Sequence, residues 1–202
     1  VALIGLLLGL ILAFQGAVAL KMFGAQIYVA NLVGISLFRE LAPLMTAIVI
    51  LGRSASAFAA EIGTMTVNHE IDALKTMSFK PMHFLVMPRL FAGVTMIPLL
   101  TVFMNVFGLI GCGIVMRCFG FSVHMYLTQL SSAIQVSDFL TGIIKSIFFG
   151  LIVAGIGCAY GLRTQMKATG VGESTTKAVV NGIVMLAIAD GIFAILYYAL
   201  GI

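Results

Sequence analysis

The sequence predicts an all-α protein that crosses a membrane five times, and two observations lead to this prediction. First, 61% of the 202 residues are hydrophobic and only 9% are charged, whereas roughly a quarter of the residues in soluble domains are charged. Second, apolar runs of about 20 residues, the length that crosses a bilayer, recur along the chain. A water-soluble globule of this composition would expose large apolar patches, so we expect a polytopic membrane protein.

Five apolar segments are assigned as spans, at residues 1–20, 32–60, 85–116, 139–162 and 178–202. The second and third are longer than a hydrocarbon core of about 30 Å requires, so we expect them to tilt, kink or project. Pro43 and Pro98 are the expected kinks, because proline removes a helical hydrogen bond. The whole chain, 1–202, is predicted to be a single transmembrane domain. It opens on apolar sequence without an initiator Met, and we expect an amino-terminal segment to be missing.

The connections between spans predict the orientation of the chain. Six Lys and Arg residues lie in or beside segments 61–84 and 163–177, and two lie in the other connections. Positively charged connections stay in the cytoplasm. The amino end is therefore predicted to be cytoplasmic and the carboxyl end to lie outside.

Two glycine pairs have the spacing of close helix packing, Gly5 with Gly9 and Gly157 with Gly161. Small residues four apart let helices approach closely in lipid. The spacing is compatible both with packing within one subunit and with a dimer interface.

Segment 61–81 is unusually rich in charge for this chain. Within it Val67, Ile71, Leu74 and Met77 recur at helical spacing and predict one apolar face of a short cytoplasmic helix between spans 2 and 3. Thr66 or Asn68 is the expected cap, and Pro81 the expected end. Such a helix lies on the membrane, packs on its own bundle or docks into a soluble partner. Its mixed charge favours docking, because helices that lie on membranes are rich in Lys and Arg.

Ionisable residues inside the spans are candidate functional residues. Arg39, Glu40, Lys145 and Asp190 are predicted to lie at one depth on the outer side of the midplane, with Lys145 paired to Asp190 or Glu40. Either the cluster fixes helix register, or it faces a lipid head group, with Arg39 as the contact. Arg53 is expected to snorkel or to brace segment 61–81.

An ordered set of motifs resembles the MlaE (YrbE) family of ABC-transporter permeases. The matching residues are RELAP at 39–43, GRSASAFAAEIGTM at 52–65, EIDAL at 70–74, Pro81, Pro88–Arg89, TGIIKS at 141–146 and TGVGESTTKAVV at 169–180. The resemblance covers essentially the whole chain. The sequence departs from the family pattern at His69 and in its missing amino-terminal segment.

The resemblance implies that segment 61–81 is a coupling helix that fits a groove on a cytoplasmic ATPase. Its implied contact residues are Glu61, Val67, Glu70, Ile71, Asp72, Leu74 and Lys75. It also implies that Gln15, Leu20 and Phe23 line a substrate path at a dimer seam. Without the resemblance, we would interpret Gln15 as a residue whose side chain forms a hydrogen bond between two helices.

The function implied by the resemblance is that of a permease subunit for phospholipids in the bacterial inner membrane, which maintains outer-membrane lipid asymmetry. The implied partners are a second copy of the chain, a cytoplasmic ABC ATPase, a periplasmic MCE-domain lipid-binding protein and a STAS-domain accessory protein. No catalytic, metal or nucleic-acid site is expected in this chain. Lys145–Ser146 follows Ile144 where a phosphate-binding loop needs Gly, so the partner ATPase is expected to bind ATP and Mg²⁺.

Other functional classes remain open from the sequence. An ion-coupled secondary transporter of a hydrophobic solute would use Lys145, Glu40 and Asp190. An intramembrane lipid enzyme would need a nucleophile–base or metal constellation, and we find none in the sequence. Within the ABC class, a sterol-like cargo is an alternative to phospholipid.

Overall fold

The structure is a computed structural model that describes residues 1–167 and 169–200, and within these ranges it contains helices and no strand. The helices are α1 (Ala2–Lys21), α2 (Val29–Ser36), α3 (Ala42–Ile50), α4 (Ser56–Val67), α5 (Glu70–Thr76), α6 (Met87–Cys118), α7 (Val123–Ala133), α8 (Val136–Leu162) and α9 (Gly170–Leu200). The predicted all-α class is confirmed.

Five helical stretches of the described chain are long and apolar enough to cross a membrane, as the sequence predicts. We number them span 1 (Ala2–Lys21), span 2 (Gln26–Val67), span 3 (Met82–Cys118), span 4 (Val136–Leu162) and span 5 (Gly170–Leu200). The predicted start of span 5 at residue 178 was wrong. The helix continues through a polar first turn, where Lys177 Nζ lies 2.7 Å from Glu173 Oε1, and hydropathy detects the apolar run, not the helix end.

Span 2 is interrupted by two π-helical turns, Leu37–Leu41 and Leu51–Ala55. The first lies directly before Pro43, which has no N–H to donate to the carbonyl four residues earlier. A wider turn accommodates that gap, and such turns often occur at functional sites. Pro98, by contrast, lies inside α6, which is helical from Met87 to Cys118.

Helix α7 is an element that the sequence did not predict. It has 11 residues, and the Ser122 side chain caps it by accepting a hydrogen bond from the Met125 N–H. The helix is too short and too polar to register as a span, which is why residues 119–135 read as a plain connection.

The chain forms two compact units, unit 1 (Val1–Thr46 and Leu99–Ile144) and unit 2 (Ala47–Pro98 and Lys145–Ile202). In unit 1, α1 packs its small residues against α6, and a methyl group at Gly9 would overlap the backbone of Gly108. One buried hydrophobic cluster of unit 1 contains Ala13, Ala17, Val29, Ala30, Val33, Leu37, Cys112, Val115, Met116 and Tyr126. The prediction of a single domain over the whole chain stays a prediction.

In unit 2, glycines of α8 contact the second half of span 2. Gly157 lies against Ala55, and Gly161 lies against Ile62. A core cluster of Ile62, Ile71, Leu85, Val86 and Cys158 is buried in this unit. Both glycine pairs therefore serve packing within one chain, the first of the two interpretations given above.

Candidate functional site

The first candidate site is an ion pair inside unit 2. Lys145 of α8 places Nζ 2.7 Å from Oδ1 of Asp190 in α9. The lysine side chain is completely buried, and 21% of the aspartate side chain is exposed. An unpaired charge in such a place costs several kcal/mol, so the carboxylate is what allows the lysine to be buried there. The predicted pairing of Lys145 with Asp190 is present.

An aromatic cluster lies one helical turn from this pair on both helices. Phe193 of α9 packs against Phe148 and Phe149 of α8, with ring centroids 5.3 and 6.4 Å apart. Phe149 is completely buried. Aromatic residues one turn away on both helices make the surroundings of the ion pair less polar, and a less polar environment strengthens the attraction between two charges.

The second candidate site is an ion pair inside unit 1. Arg39, in the first π-helical turn, places Nη1 3.6 Å from Oδ1 of Asp138 in the first turn of α8. Asp138 also accepts a hydrogen bond from the Gln135 N–H at 3.0 Å through Oδ2. Helix α8 can come this close because Gly142, one turn later, lies against the Phe38 carbonyl. Glycine at that position is therefore a condition for the Arg39–Asp138 contact.

The four predicted intramembrane charges are divided between the units. Arg39 and Glu40 belong to unit 1, and Lys145 and Asp190 belong to unit 2. That all four lie at one depth stays a prediction.

The three residues assigned to a substrate path lie in or just after α1. The Gln15 side chain is exposed, and Leu20 packs partly buried against the core of unit 1. Phe23 is 80% exposed in the turn after the helix. Two of the three, Gln15 and Phe23, are thus accessible from outside the chain, whereas Leu20 contributes mainly to packing.

The short helix after span 2 is present as α5, but its predicted start was wrong. Span 2 continues to Val67, which therefore lies outside the short helix. Neither Thr66 nor Asn68 caps α5; instead His69 precedes it in the left-handed conformation, with φ of 59°. The helix is broken at His69. The apolar residues that were counted from Val67 onward therefore belong to two separate helices, α4 and α5.

One face of α5 is attached to unit 2. Ile71 is 7% exposed and belongs to the buried cluster with Ile62, Leu85 and Cys158, and Leu74 packs partly buried beside it. Of the three uses considered for this helix, packing on its own bundle therefore accounts for its apolar side. A substitution at Ile71 would therefore disturb the packing of unit 2.

The opposite face of α5 is charged and exposed. Lys75 Nζ lies 2.9 Å from Asp72 Oδ1, and the two side chains are 60% and 54% exposed. Hydrogen bonds from Lys75 and then from His69 hold the pKa of Asp72 below its ordinary value. Glu70 is also exposed and accepts a hydrogen bond from Asn68 Nδ2 at 3.3 Å. This face offers both signs of charge to a partner.

A further ion pair joins the end of span 2 to the start of span 3. Arg89 Nη2 donates to Glu61 Oε2 at 2.7 Å, and its guanidinium lies 5.5 Å from the centre of the Phe58 ring. The arginine is 18% exposed and the glutamate 61%. This ion pair thus links spans 2 and 3 on either side of the connection that contains α5. Arg53, one candidate for that role, is exposed in the second π-helical turn.

Sequence reasoning missed two members of these sites. Asp138 was placed outside span 4, although an acidic residue just before an apolar run is a signal for the first turn of a helix. Arg89 was used for the orientation and as part of the Pro88–Arg89 motif but was given no partner, and its partner Glu61 lies 28 residues earlier. No local sequence pattern indicates a pair whose members are 28 residues apart in the chain. The connection between spans 2 and 3, at residues 68–81, brings the two residues together.

Comparison with known proteins finds a permease family model and similar proteins that match most of the chain. The family model described as Permease MlaE matches residues 1–196. A probable ABC transporter permease protein of Synechocystis sp. is 40% identical over 184 residues, which cover 90% of this chain and 70% of that protein. The intermembrane phospholipid transport system permease protein MlaE of Haemophilus influenzae is 31% identical over 199 residues, which cover 98% of this chain and 76% of that protein. The chloroplastic protein trigalactosyldiacylglycerol 1 of Arabidopsis thaliana is 34% identical over 171 residues, which cover 84% and 49%.

Proposed function

Since the chain belongs to the MlaE permease family, we propose that it moves phospholipids between the inner membrane and the periplasmic or outer-membrane side. In this role it maintains the lipid asymmetry of the outer membrane. The observation that carries the proposal is the similarity, over 98% of the chain, to a permease whose name states intermembrane phospholipid transport. The ABC permeases among its relatives argue against a secondary transporter driven by an ion gradient.

In this proposal Arg39 contacts the lipid phosphate. Its side chain is 27% exposed, and its distance of 3.6 Å from Asp138 is long for a charge-assisted hydrogen bond. The exposed part of the guanidinium is accessible to a lipid phosphate from outside the chain, which supports this contact. Gln15, Leu20 and Phe23 line the path, while Lys145 and Asp190 fix the packing of α8 on α9. Glu40 supplies the negative charge beside Arg39.

The energy for transport comes, in this proposal, from a cytoplasmic ATPase that binds ATP and Mg²⁺. Helix α5 is its docking element, with Glu70, Asp72 and Lys75 as contacts. Two features support this assignment: the charged face of α5 is exposed, and Ile71 and Leu74 attach the helix to the bundle. Movement of α5 then reaches span 2 through His69 and span 3 through the Glu61–Arg89 ion pair.

The remaining parts of the proposal are the partners and the orientation. The permease acts as a homodimer with a periplasmic MCE-domain lipid-binding protein and a STAS-domain accessory protein. Its amino end is cytoplasmic, and its carboxyl end is periplasmic. The name of the chloroplast relative contains a galactolipid, which supports a glycerolipid rather than a sterol-like cargo.

The test is ATP-dependent transfer of labelled phospholipid by the full-length protein, purified with the subunits that accompany it and reconstituted in liposomes. We expect transfer to require ATP and to fall when Arg39 is changed to Ala. Arg53→Ala is the matched control, because Arg53 is also an arginine in a π-helical turn of span 2. Transfer that follows a proton gradient without nucleotide, or a sterol moved in preference to phospholipid, would overturn the proposal.

A further inference from the structure

Unit 1 contains an apolar groove between α6 and α7 that the proposed transport path does not use. Its cavity volume is about 630 Å³, within the range of about 300–1,000 Å³ usual for ligand pockets. The walls are formed mainly by Ile110 and Ile114 of α6 and by Tyr126, Leu127 and Leu130 of α7. Ile114 and Leu127 are 47% and 54% exposed, so the groove is open to the surroundings of the chain.

The two walls of the groove are held together by specific contacts. The Tyr126 hydroxyl donates a hydrogen bond of 2.9 Å to the Leu109 carbonyl, which fixes α7 on α6. Gly113 faces the Tyr126 ring so closely that a Cβ there would lie 3.2 Å from Cε1. Gly120, with φ of 89°, makes the turn that returns the chain to α6. The groove is therefore preformed.

Arg117 supplies the one formal charge among the residues that line this groove. It lies in the last turn of α6 and is exposed. Ser122 and Val123, at the start of α7, line the same cavity, and the positive end of a helix dipole favours an anion nearby. An apolar channel with a cationic rim is complementary to an amphiphile that has an anionic head group.

We propose that this groove binds a phospholipid, with an acyl chain along Ile110, Ile114 and Leu127 and the phosphate at Arg117. A guanidinium is well suited to a phosphate because it can donate two parallel hydrogen bonds. The inference depends on the membrane location of the chain and not on the transport proposal. It would hold for a resident lipid as well as for a transported one.

The size of the groove favours a lipid over a transmembrane helix of a partner. A helix about 10–12 Å across with a pitch of 5.4 Å fills roughly 400–600 Å³ per turn. The cavity of about 630 Å³ therefore accepts little more than one turn, whereas a spanning helix has about 20 residues. A single acyl chain needs no larger space, and its head group accounts for the charge at the rim.

Photolabelling tests the proposal on the intact protein, with its accompanying subunits, in nanodiscs. The probe is a phosphatidylglycerol with a diazirine on one acyl chain, and labelling of residues 106–130 is measured relative to the exposed α8 residues Leu140, Ile144 and Leu151. We expect preferential labelling of the groove. A diacylglycerol with the same labelled chain should lose this preference, because it has no phosphate.

Two variants separate the head-group contact from the acyl-chain contact. Arg117→Ala should lower the groove labelling by roughly tenfold, the effect of losing a hydrogen bond to a charged group, and Arg117→Lys should restore part of it. Ile114→Trp should block labelling by filling the channel. Lys21→Ala is the matched control, because Lys21 is an exposed basic residue in the last turn of another unit 1 helix, and it should change nothing.

Two outcomes would overturn the proposal. Labelling that is equal on the groove and on the exposed α8 residues, and unaffected by Arg117→Ala, would mean ordinary contact with bulk lipid. Crosslinks from residues 110, 114 and 127 to another subunit instead of lipid would mean that a protein fills the groove. Neither outcome depends on whether the protein transports phospholipid.

Discussion

Lys145 Nζ lies 2.7 Å from Asp190 Oδ1, and the lysine side chain is completely buried while 21% of the aspartate side chain is exposed. The exposed pair Lys177–Glu173 has the same 2.7 Å separation, with both side chains more than half exposed. Both ion pairs join a lysine to a carboxylate, aspartate in one and glutamate in the other, at the same distance in different surroundings. Their comparison isolates the effect of burial.

Asp190→Asn should destabilise the protein strongly, because it removes the negative charge that lies 2.7 Å from Nζ of the buried Lys145. Breaking one side of a buried pair costs about 3–5 kcal/mol. The double variant Lys145→Met with Asp190→Leu should be less destabilised than Asp190→Asn alone, since no charge is then buried. Denaturant titration in mild detergent measures both changes.

Glu173→Gln is the control for that experiment and should leave the free energy of unfolding almost unchanged, because both side chains of that pair are exposed. Reversal of the buried pair, Lys145→Asp with Asp190→Lys, distinguishes attraction from position. If the double variant recovers transport that Lys145→Asp loses, the two residues act as a pair. Equal loss of transport in Lys145→Asp, in Asp190→Lys and in the double variant would contradict this.

The Glu61–Arg89 ion pair should affect coupling more than stability. Because Glu61 is 61% exposed, solvent weakens its contribution to the free energy of unfolding to about 1 kcal/mol or less. We expect Glu61→Lys to reduce the amount of lipid transferred per ATP hydrolysed several-fold. Adding Arg89→Glu should recover part of the transfer. An unchanged ratio of lipid transferred to ATP hydrolysed in Glu61→Lys would show that the pair plays no part in coupling.

The exposed face of α5 should determine ATPase binding. Glu70→Lys reverses a charge on that face without touching the core, so we expect weaker co-purification of the ATPase and an unchanged melting temperature. Ile71→Asp should instead destabilise unit 2, because Ile71 is only 7% exposed. Lys167→Glu, in the other connection predicted to be cytoplasmic, is the charge-reversal control. Equal ATPase recovery with Glu70→Lys and with wild type would remove α5 from the interface.

The packing of α1 on α6 is tested by replacing glycine with alanine at two positions, one tightly packed and one open. A methyl group at Gly9 would overlap the Gly108 backbone, whereas Gly191 in α9 has open space at that position. Gly9→Ala should therefore cost about 1–3 kcal/mol from overpacking. Gly191→Ala should be neutral or slightly stabilising, because alanine favours helix more than glycine does. A neutral Gly9→Ala would mean that α1 can move away from α6.

Much of the fold was predictable because the driving pattern is local. Runs of apolar residues determine where a helix can cross lipid, and all five spans were found from such runs. The ends of spans 2 and 5 were misplaced, since Gln26 and Gly170 begin helical turns that are polar enough to fall outside a hydropathy window. Helix α7 was missed for a similar reason, because an 11-residue segment with many polar residues, VHMYLTQLSSA, resembles a connection.

The candidate sites were predictable only in part. Lys145 and Asp190 were recognised because a charge inside an apolar span is costly and needs a partner. Asp138 as the partner of Arg39, and Arg89 as the partner of Glu61, could not be deduced from spacing. These contacts depend on where the helices cross, which for Arg39 and Asp138 is permitted by the missing side chain of Gly142.

The sequence by itself determined that the chain is helical, that it crosses a membrane five times and that its motifs resemble those of the MlaE permeases. These conclusions rest on composition and on residues close together in the chain. Only the tertiary structure decided which charges meet, which face of α5 remains exposed and where α6 and α7 leave a groove. The physical reason is that burial and pairing are properties of helix contacts, and a contact between two helices depends on side-chain volumes that lie far apart in the sequence.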